Sequence, residues 1–295
     1  MVTPEKEGLD CLLTRTTAAT IKEDGTVEFS AGYSPSAEHS ERFAELTKDR
    51  NPIHKKHREF GETISPGFLQ TAVALGLIDE ISGANQAKFP YSQCNAVMNG
   101  AVVTGLGYTL QIGIDRRSLR SFAKIIDSKG NVIYELNRNI SNSPIFHNGA
   151  DPANLVHRGR FSLDAGLEDM RGIMGATFPA DYIFAIAGAS STVFDAIDHG
   201  KLPSPEGVAA MYSRQNIFCD SATPIDLSKG IDLELYLSGK EKFGKLSEKG
   251  ETVEMTVAAK NDDGRFLYLV TAPISFQQER IVDIMLKRAL RSRKK

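Results

Sequence analysis

Ser65-Pro66-Gly67-Phe68-Leu69-Gln70-Thr71-Ala72-Val73-Ala74-Leu75-Gly76-Leu77-Ile78 holds the longest nearly apolar run of the chain, and its reading decides the fold. Ser65 stands where an N-cap belongs, and Pro66 suits a first helical position, where its missing N–H costs nothing. The run from Phe68 to Ile78 is too short to cross a bilayer and is broken by Gln70 and Thr71, so it reads as a helix buried in a core. Strand-like text follows: Ala101 to Thr104, then Tyr108 to Ile114 with alternating apolar residues. A hairpin comes next, Phe122 to Ile126, a turn at Asp127-Ser128-Lys129-Gly130, and Val132 to Leu136.

The same order returns downstream. Thr177-Phe178-Pro179 opens a helix-like run through Ile183 and Ala187 toward Phe194 and Ile197. Alternating Leu233, Leu235 and Leu237 follow, and then a second hairpin: Val253 to Ala259, a turn at Asn261-Asp262-Asp263-Gly264, and Phe266 to Val270. Pro179 answers to Pro66 and Gly264 to Gly130, but at unequal offsets. The second copy has therefore gained residues, which we place between Pro203 and Tyr212. Turn formers from Ser141 to Pro152 suggest a linker, dividing the chain into residues 1–145 and 146–295. A long helix followed by hairpin-linked strands, occurring twice, predicts an α+β fold in which each antiparallel sheet wraps its own helix. Ile281 to Leu290 reads as an amphipathic helix whose end, Arg291 to Lys295, is basic and solvated.

With 295 residues the chain has room for one large or two average domains, and its 41% hydrophobic and 24% charged residues are those of an ordinary globular protein. A formal charge of −2 argues against nucleic-acid or membrane partners. Glu5, Glu7 and Asp10 near the start do not make a secretory signal, and Arg293-Lys294-Lys295 is not a peroxisomal address. Cys11, Cys94 and Cys219 are scattered, as expected of reduced thiols in a cytoplasmic protein. None of the six histidines shows zinc-type spacing, so no metal site is expected.

The chemistry concentrates in Phe43-Ala44-Glu45-Leu46-Thr47-Lys48-Asp49-Arg50-Asn51-Pro52-Ile53-His54. Phe43 and Leu46 suit a short helix, and Asn51-Pro52 turns the chain out of it. Asp49 and His54 then flank a tight turn that can bring carboxylate and imidazole together, as a general acid/base pair requires. On spacing alone, Asp49 capping the turn and His54 satisfied in a core is the commoner outcome.

The segment resembles the hydratase motif of the MaoC-like hotdog family, Phe/Tyr-x-x-Leu-Ser/Thr-x-Asp-x-Asn-Pro-x-His. Phe43, Leu46, Thr47, Asp49, Asn51, Pro52 and His54 match it at every fixed place, and Ser65-Pro66-Gly67 occupies the place of the family's glycine-containing helix start. The resemblance covers about Val27 to Ile140; the second half shares only the order of elements, and no Asn-Pro-x-His precedes its helix. The family's usual His-Gly is Pro66-Gly67 here, which removes one polar contact but not the Asp/His pair.

The resemblance implies a tandem (double) hotdog with one active site per chain, a unit that can pair as a homodimer. It implies an (R)-specific enoyl-thioester hydratase or 3-hydroxyacyl-thioester dehydratase acting on a CoA or acyl-carrier-protein substrate, without cofactor or metal. Asp49 and His54 would be catalytic, in roles the sequence does not divide between them. Gly67, with Ser65 and Asn51, would meet the substrate, and Gly67 N–H at the helix start would stabilise the enolate-like charge. Asn51 equally suits closing the turn. Arg116, Arg117, Arg120 and Lys124 are a solvated edge or a contact for the carrier's phosphates. Ala185, Ala187, Gly188, Ala189, Ser190 and Ser191 allow either close packing or an acyl tunnel. The competing functions are a hotdog thioesterase, which would need a carboxylate on the central helix, and a non-catalytic acyl-binding or assembly subunit.

Overall fold

The computed structural model describes residues 12–16, 19–55, 61–82, 91–115, 117–118, 120–143, 150–163, 181–203, 208–220, 223, 225–240 and 252–291. In chain order the first half contains β1 (Leu13–Thr16), β2 (Thr20–Ile21), β3 (Thr26–Tyr33), α1 (Ala37–Leu46), a 3-10 turn (Pro52–His54) and α2 (Gly67–Ser82). It continues with β4 (Tyr91–Met98), β5 (Tyr108–Asp115), β6 (Arg120–Ile126) and β7 (Val132–Ser141). The second half contains β8 (Leu155–Phe161), α3 (Asp181–Ala187), α4 (Thr192–Asp198), β9 (Val208–Tyr212) and β10 (Arg214–Asp220). It ends with β11 (Ile231–Ser238), β12 (Thr252–Lys260), β13 (Phe266–Gln278) and α5 (Glu279–Arg291). No described helix is long and apolar enough to cross a membrane.

The two expected sheets are one. Antiparallel strands run in the order β1-β3-β5-β6-β7-β4-β10-β13-β12-β11-β8, with β2 on β3 and β9 on β13. The halves join where β4 meets β10 over Tyr91↔Asp220 to Val97↔Arg214. At the middle of this seam Asn95 Nδ2 donates to Asn216 Oδ1 across the strands.

The predicted buried helix is α2. Every side chain from Phe68 to Asp79 is buried, against strands of its own half and against α3 beside it. Each large apolar side chain so covered contributes roughly 1.5–3 kcal/mol. Its one buried charge, Asp79, is neutralised by Arg138 of β7. Both predicted hairpins form, at Gly130 and Gly264, each with the positive φ the turn demands. Ala101 to Thr104 is not a strand: it makes a single bridge, Ile64↔Val103, before turning at Thr104.

The second helix departs from expectation. Its start at Thr177 to Pro179 lies outside the described residues, and the rest is broken into α3 and α4 by Gly188 to Ser191. There the backbone tightens to i→i−3 bonds (Gly188 to Ala185, 3.1 Å; Ala189 to Ile186, 3.0 Å). Ser191 Oγ (2.8 Å) and Thr192 Oγ1 (3.2 Å) both donate back to the Gly188 carbonyl, competing with helical pairing. A Cβ at Gly188 would lie 2.7 Å from the Phe161 ring, so this glycine is packed against strand β8. The region credited with extra residues holds β9, paired with the far end of β13.

Candidate active site

The turn that carries Asp49 and His54 is built by helix termination. The Asp49 N–H bonds Ala44 O (2.8 Å) and the Lys48 N–H bonds Glu45 O (3.1 Å), with Lys48 left-handed at φ 58°. This is a Schellman ending, with lysine where glycine is usual. It reverses the chain so that Asp49 Oδ1 accepts the Asn51 N–H (3.0 Å), and Asn51 caps the 3-10 turn that ends at His54. His54 Nδ1 lies 2.8 Å from Ile64 O; a carbonyl only accepts, so Nδ1 carries a proton, and in the neutral tautomer that this fixes, the lone pair is at Nε2. That Nε2 stands 3.6 Å from Asp49 Oδ2, with both side chains about 95% buried. Each group is thus held by one atom and offers its other atom to the same spot, where one water oxygen can reach both.

The spot is on the wall of a cavity of about 410 Å³ that runs to the start of α2. Asp49, Asn51, His54, Ser65 and Gly67 all line it, so five of the residues singled out in the sequence converge. On its other side the pair faces a second cavity, of about 530 Å³, rimmed by exposed Lys48, Arg50 and Lys55 and by Glu41 and Glu45.

Ser65 does not cap the helix. Its N–H is spent on Val102 O (2.8 Å), the helix begins at Gly67, and its buried Oγ lies with Gln70 near the Tyr33 phenol rather than on the helix end. Asn51 is a clamp between halves: its Nδ2 donates to Ala210 O and its Oδ1 accepts the Ala210 N–H (3.2 Å) from β9. Arg117, Arg120 and Lys124 do not line the cavity; Lys124 faces Glu135 across β6 and β7 (3.9 Å), and Arg116 lies outside the described residues. The small residues from Ala185 to Ser191 do not line it either.

Residues the sequence reading passed over complete the site. Tyr212 of β9 stacks edge-on against Phe68 (6.4 Å, 71°), and its buried hydroxyl makes no hydrogen bond among the described residues. Burial, reinforced by the charge of Asp49, holds that phenol protonated far above its usual range. Gln215 of β10 is fully buried; its Oε1 accepts from Thr71 Oγ1 (3.2 Å), while its Nε2 stands beside Gly67 with no hydrogen bond among the described residues. The C-terminal helix is no solvated tail, since Val282 and Leu286 pack on Ile53 and Ile64, and Ile281 and Met285 line the cavity. Separately, the fold assembles a group the histidine spacing did not show, His157, Asp195 and His199, whose ligand atoms lie within 4.8 Å of one another.

No family model and no curated protein matches this sequence. Solved structures do match in fold. A MaoC-like dehydratase is similar at TM-score 0.51 and 14% identity, over 83% of this chain and 95% of that one. The dehydratase domain from the CurJ module of curacin polyketide synthase reaches 0.57 at 10% identity, over 92% and 98%. A conserved hypothetical protein from Mycobacterium tuberculosis, described as having a double hotdog fold, reaches 0.50 at 11%, over 83% and 93%. At these identities the likeness establishes the architecture: the chain is a double hotdog.

Proposed function

We propose that this double hotdog adds water to a trans-2-enoyl thioester, and removes it from the (R)-3-hydroxyacyl thioester, using Asp49 and His54. The carrying observation is the convergence of Asp49 Oδ2 and His54 Nε2, 3.6 Å apart, on a cavity that ends at the start of α2. In hydration, ionised Asp49 holds the water through Oδ2 and His54 Nε2 takes its proton as the oxygen bonds Cβ. The same proton returns from Nε2 to Cα, and dehydration reverses these steps. The thioester carbonyl lies against the first N–H groups of α2, where no Cβ at Gly67 stands in its way, with Gln215 Nε2 as a further donor. The carrier arm leaves past Lys48 and Lys55, whose ammonium groups suit its phosphates. The (R) outcome follows the motif that Phe43 to His54 resembles, and the division of roles rests on His54 Nδ1 being bound to Ile64 O.

In this reading the hydratase unit is residues 1–145, and residues 146–295 form a second hotdog that closes the cavity without a motif of its own. A thioesterase reading loses support because α2 offers the cavity no carboxylate: Asp79, buried on Arg138, does not line it. Free, buried Cys94, its thiol pushed up by burial to about 11, suits a reducing cytoplasm.

The test is turnover of crotonyl-CoA and of its acyl-carrier counterpart, with chiral analysis of the product. Asp49→Asn and His54→Ala should each lower kcat by about 10²-fold or more while the fold survives. Wild-type rates in both variants would reject the assignment. A folded wild type that binds enoyl thioesters but never turns them over would make the chain an acyl-binding subunit.

A further inference from the structure

We propose that His157, Asp195 and His199 bind a divalent transition-metal ion of the zinc class, at the outer strand of the sheet and apart from the cavity. His157 comes from β8, which ends the sheet; Asp195 lies on α4, and His199 caps its C-terminus one turn later. His157 Nε2 donates to Asp195 Oδ2 at 2.6 Å, and His199 Nδ1 stands 3.5 Å from Asp195 Oδ1. The two imidazoles stack with centroids 5.2 Å apart. With one ligand atom from each residue inside a 4.8 Å span, small side-chain rotations suffice to close all three on one ion, since Zn–N and Zn–O bonds are about 2.0–2.2 Å.

The strand makes room for this arrangement. A Cβ at Gly159 would fall 2.7 Å from Asp195 Oδ2 and 3.3 Å from His157 Nε2, so any other residue would push the carboxylate off the strand. His157 is buried and fixed by β8, whereas the His199 side chain is 61% exposed, which gives an ion one anchored ligand and an open path from solvent. Without an ion, His157 pairs with the Asp195 carboxylate and His199 Nδ1 donates to the Asp195 carbonyl at 2.8 Å, which holds the second imidazole beside the first. An ion would replace the proton between His157 Nε2 and Asp195 Oδ2, and that proton passes to solvent. Two imidazoles and one carboxylate select zinc, cobalt or nickel over calcium or magnesium, and three protein ligands leave a fourth position to water. Asp198, on the same helix, pairs with Arg50 of the catalytic turn, so the ion would tie β8 to the element that steadies that turn.

The experiment uses the full chain, stripped with a chelator and returned to chelator-free buffer. Titration with Zn²⁺ by calorimetry in two buffers of different ionisation enthalpy, and with Co²⁺ by visible absorption, should show one ion per chain and net proton release. The wild-type Tm should rise with zinc. His199→Ala removes the exposed ligand at the end of α4, and should weaken zinc binding by at least the roughly 10–100-fold seen for lost outer-shell partners. Asp195→Asn should do the same. A wild type that takes up no zinc, or a His199→Ala protein that binds it as tightly and with the same cobalt spectrum, overturns the proposal.

Discussion

Gly67→Ala separates the site from the scaffold. The added Cβ would sit 2.9 Å from Met98 Cε and 3.1 Å from Met98 Sδ, with Gln215 Nε2 at 3.7 Å. Its near neighbour is the loose end of a thioether, which can turn aside for about 1 kcal/mol. Gly67 is not one of the glycines with positive φ, and alanine in a helix recovers up to about 1 kcal/mol over glycine. These terms cancel, so Tm should move by less than about 4 °C. The same methyl group, however, stands where a thioester oxygen must approach the first N–H groups of α2. Losing one such donor costs about 10²–10³ in kcat. Gly188→Ala is the control: its Cβ meets the buried Phe161 ring at 2.7 Å, which cannot move aside cheaply, so it should cost about 1–3 kcal/mol of stability. Its kcat should be unchanged below the melting transition. Urea titration and crotonyl-CoA kinetics on both variants decide the matter. Wild-type kcat/KM in Gly67→Ala would remove the carbonyl from the helix start.

Asn51→Ala strands the Ala210 N–H and carbonyl in the interior, and should lower stability by about 1–3 kcal/mol for each unpaired group, read as the urea midpoint; an unchanged midpoint would mean the clamp is idle. Asp79→Asn removes the carboxylate charge that faces buried Arg138 and should cost about 3–5 kcal/mol, whereas the double variant Asp79→Leu/Arg138→Met should recover most of it; equal losses in both would point to packing alone. Burial opposes the charge on Glu234, but hydrogen bonds from Lys260, Tyr236 and Arg158 outweigh it and hold the carboxyl down at about 2. With the folded value below the ordinary 4.5, its stabilisation is complete above pH 4.5 and is lost as pH falls toward 2. Glu234→Gln should therefore be less stable than wild type at pH 6 and equal to it near pH 2, and a gap that persists at pH 2 would contradict this.

What the sequence discloses follows from how local each feature is. Helix α2 and both hairpins were readable because an apolar run and Asp- and Gly-bearing turns specify them without help from distant residues. The seam strands were not. Their less buried positions carry Gln93, Asn95 and Asn216, and their covered ones include Ser92 and Gln215, so apolar alternation is faint where β4 meets β10. The break after α3 escaped notice because its small residues fit a close-packed helix as well as a turn. Asp49, His54 and Gly67 were legible as neighbours in one motif. Tyr212, Ile281 and Met285 carry no local mark of the cavity, since only the folded second half brings β9 and α5 there. The His157, Asp195 and His199 group is hidden for the same reason, its members being split between a strand and a helix.

The contact between Asn51 and Ala210, 159 positions later in the chain, also bears on synthesis. A ribosome releases the turn that carries Asp49 and His54 well before the strand that clamps it and the helix that covers it. Until then α2 has no second half to lie against. Bonds of such long sequence separation form late and slowly. Activity should therefore appear only after the whole chain has folded, and translation arrest before β9 should leave a product with an intact motif and no working site.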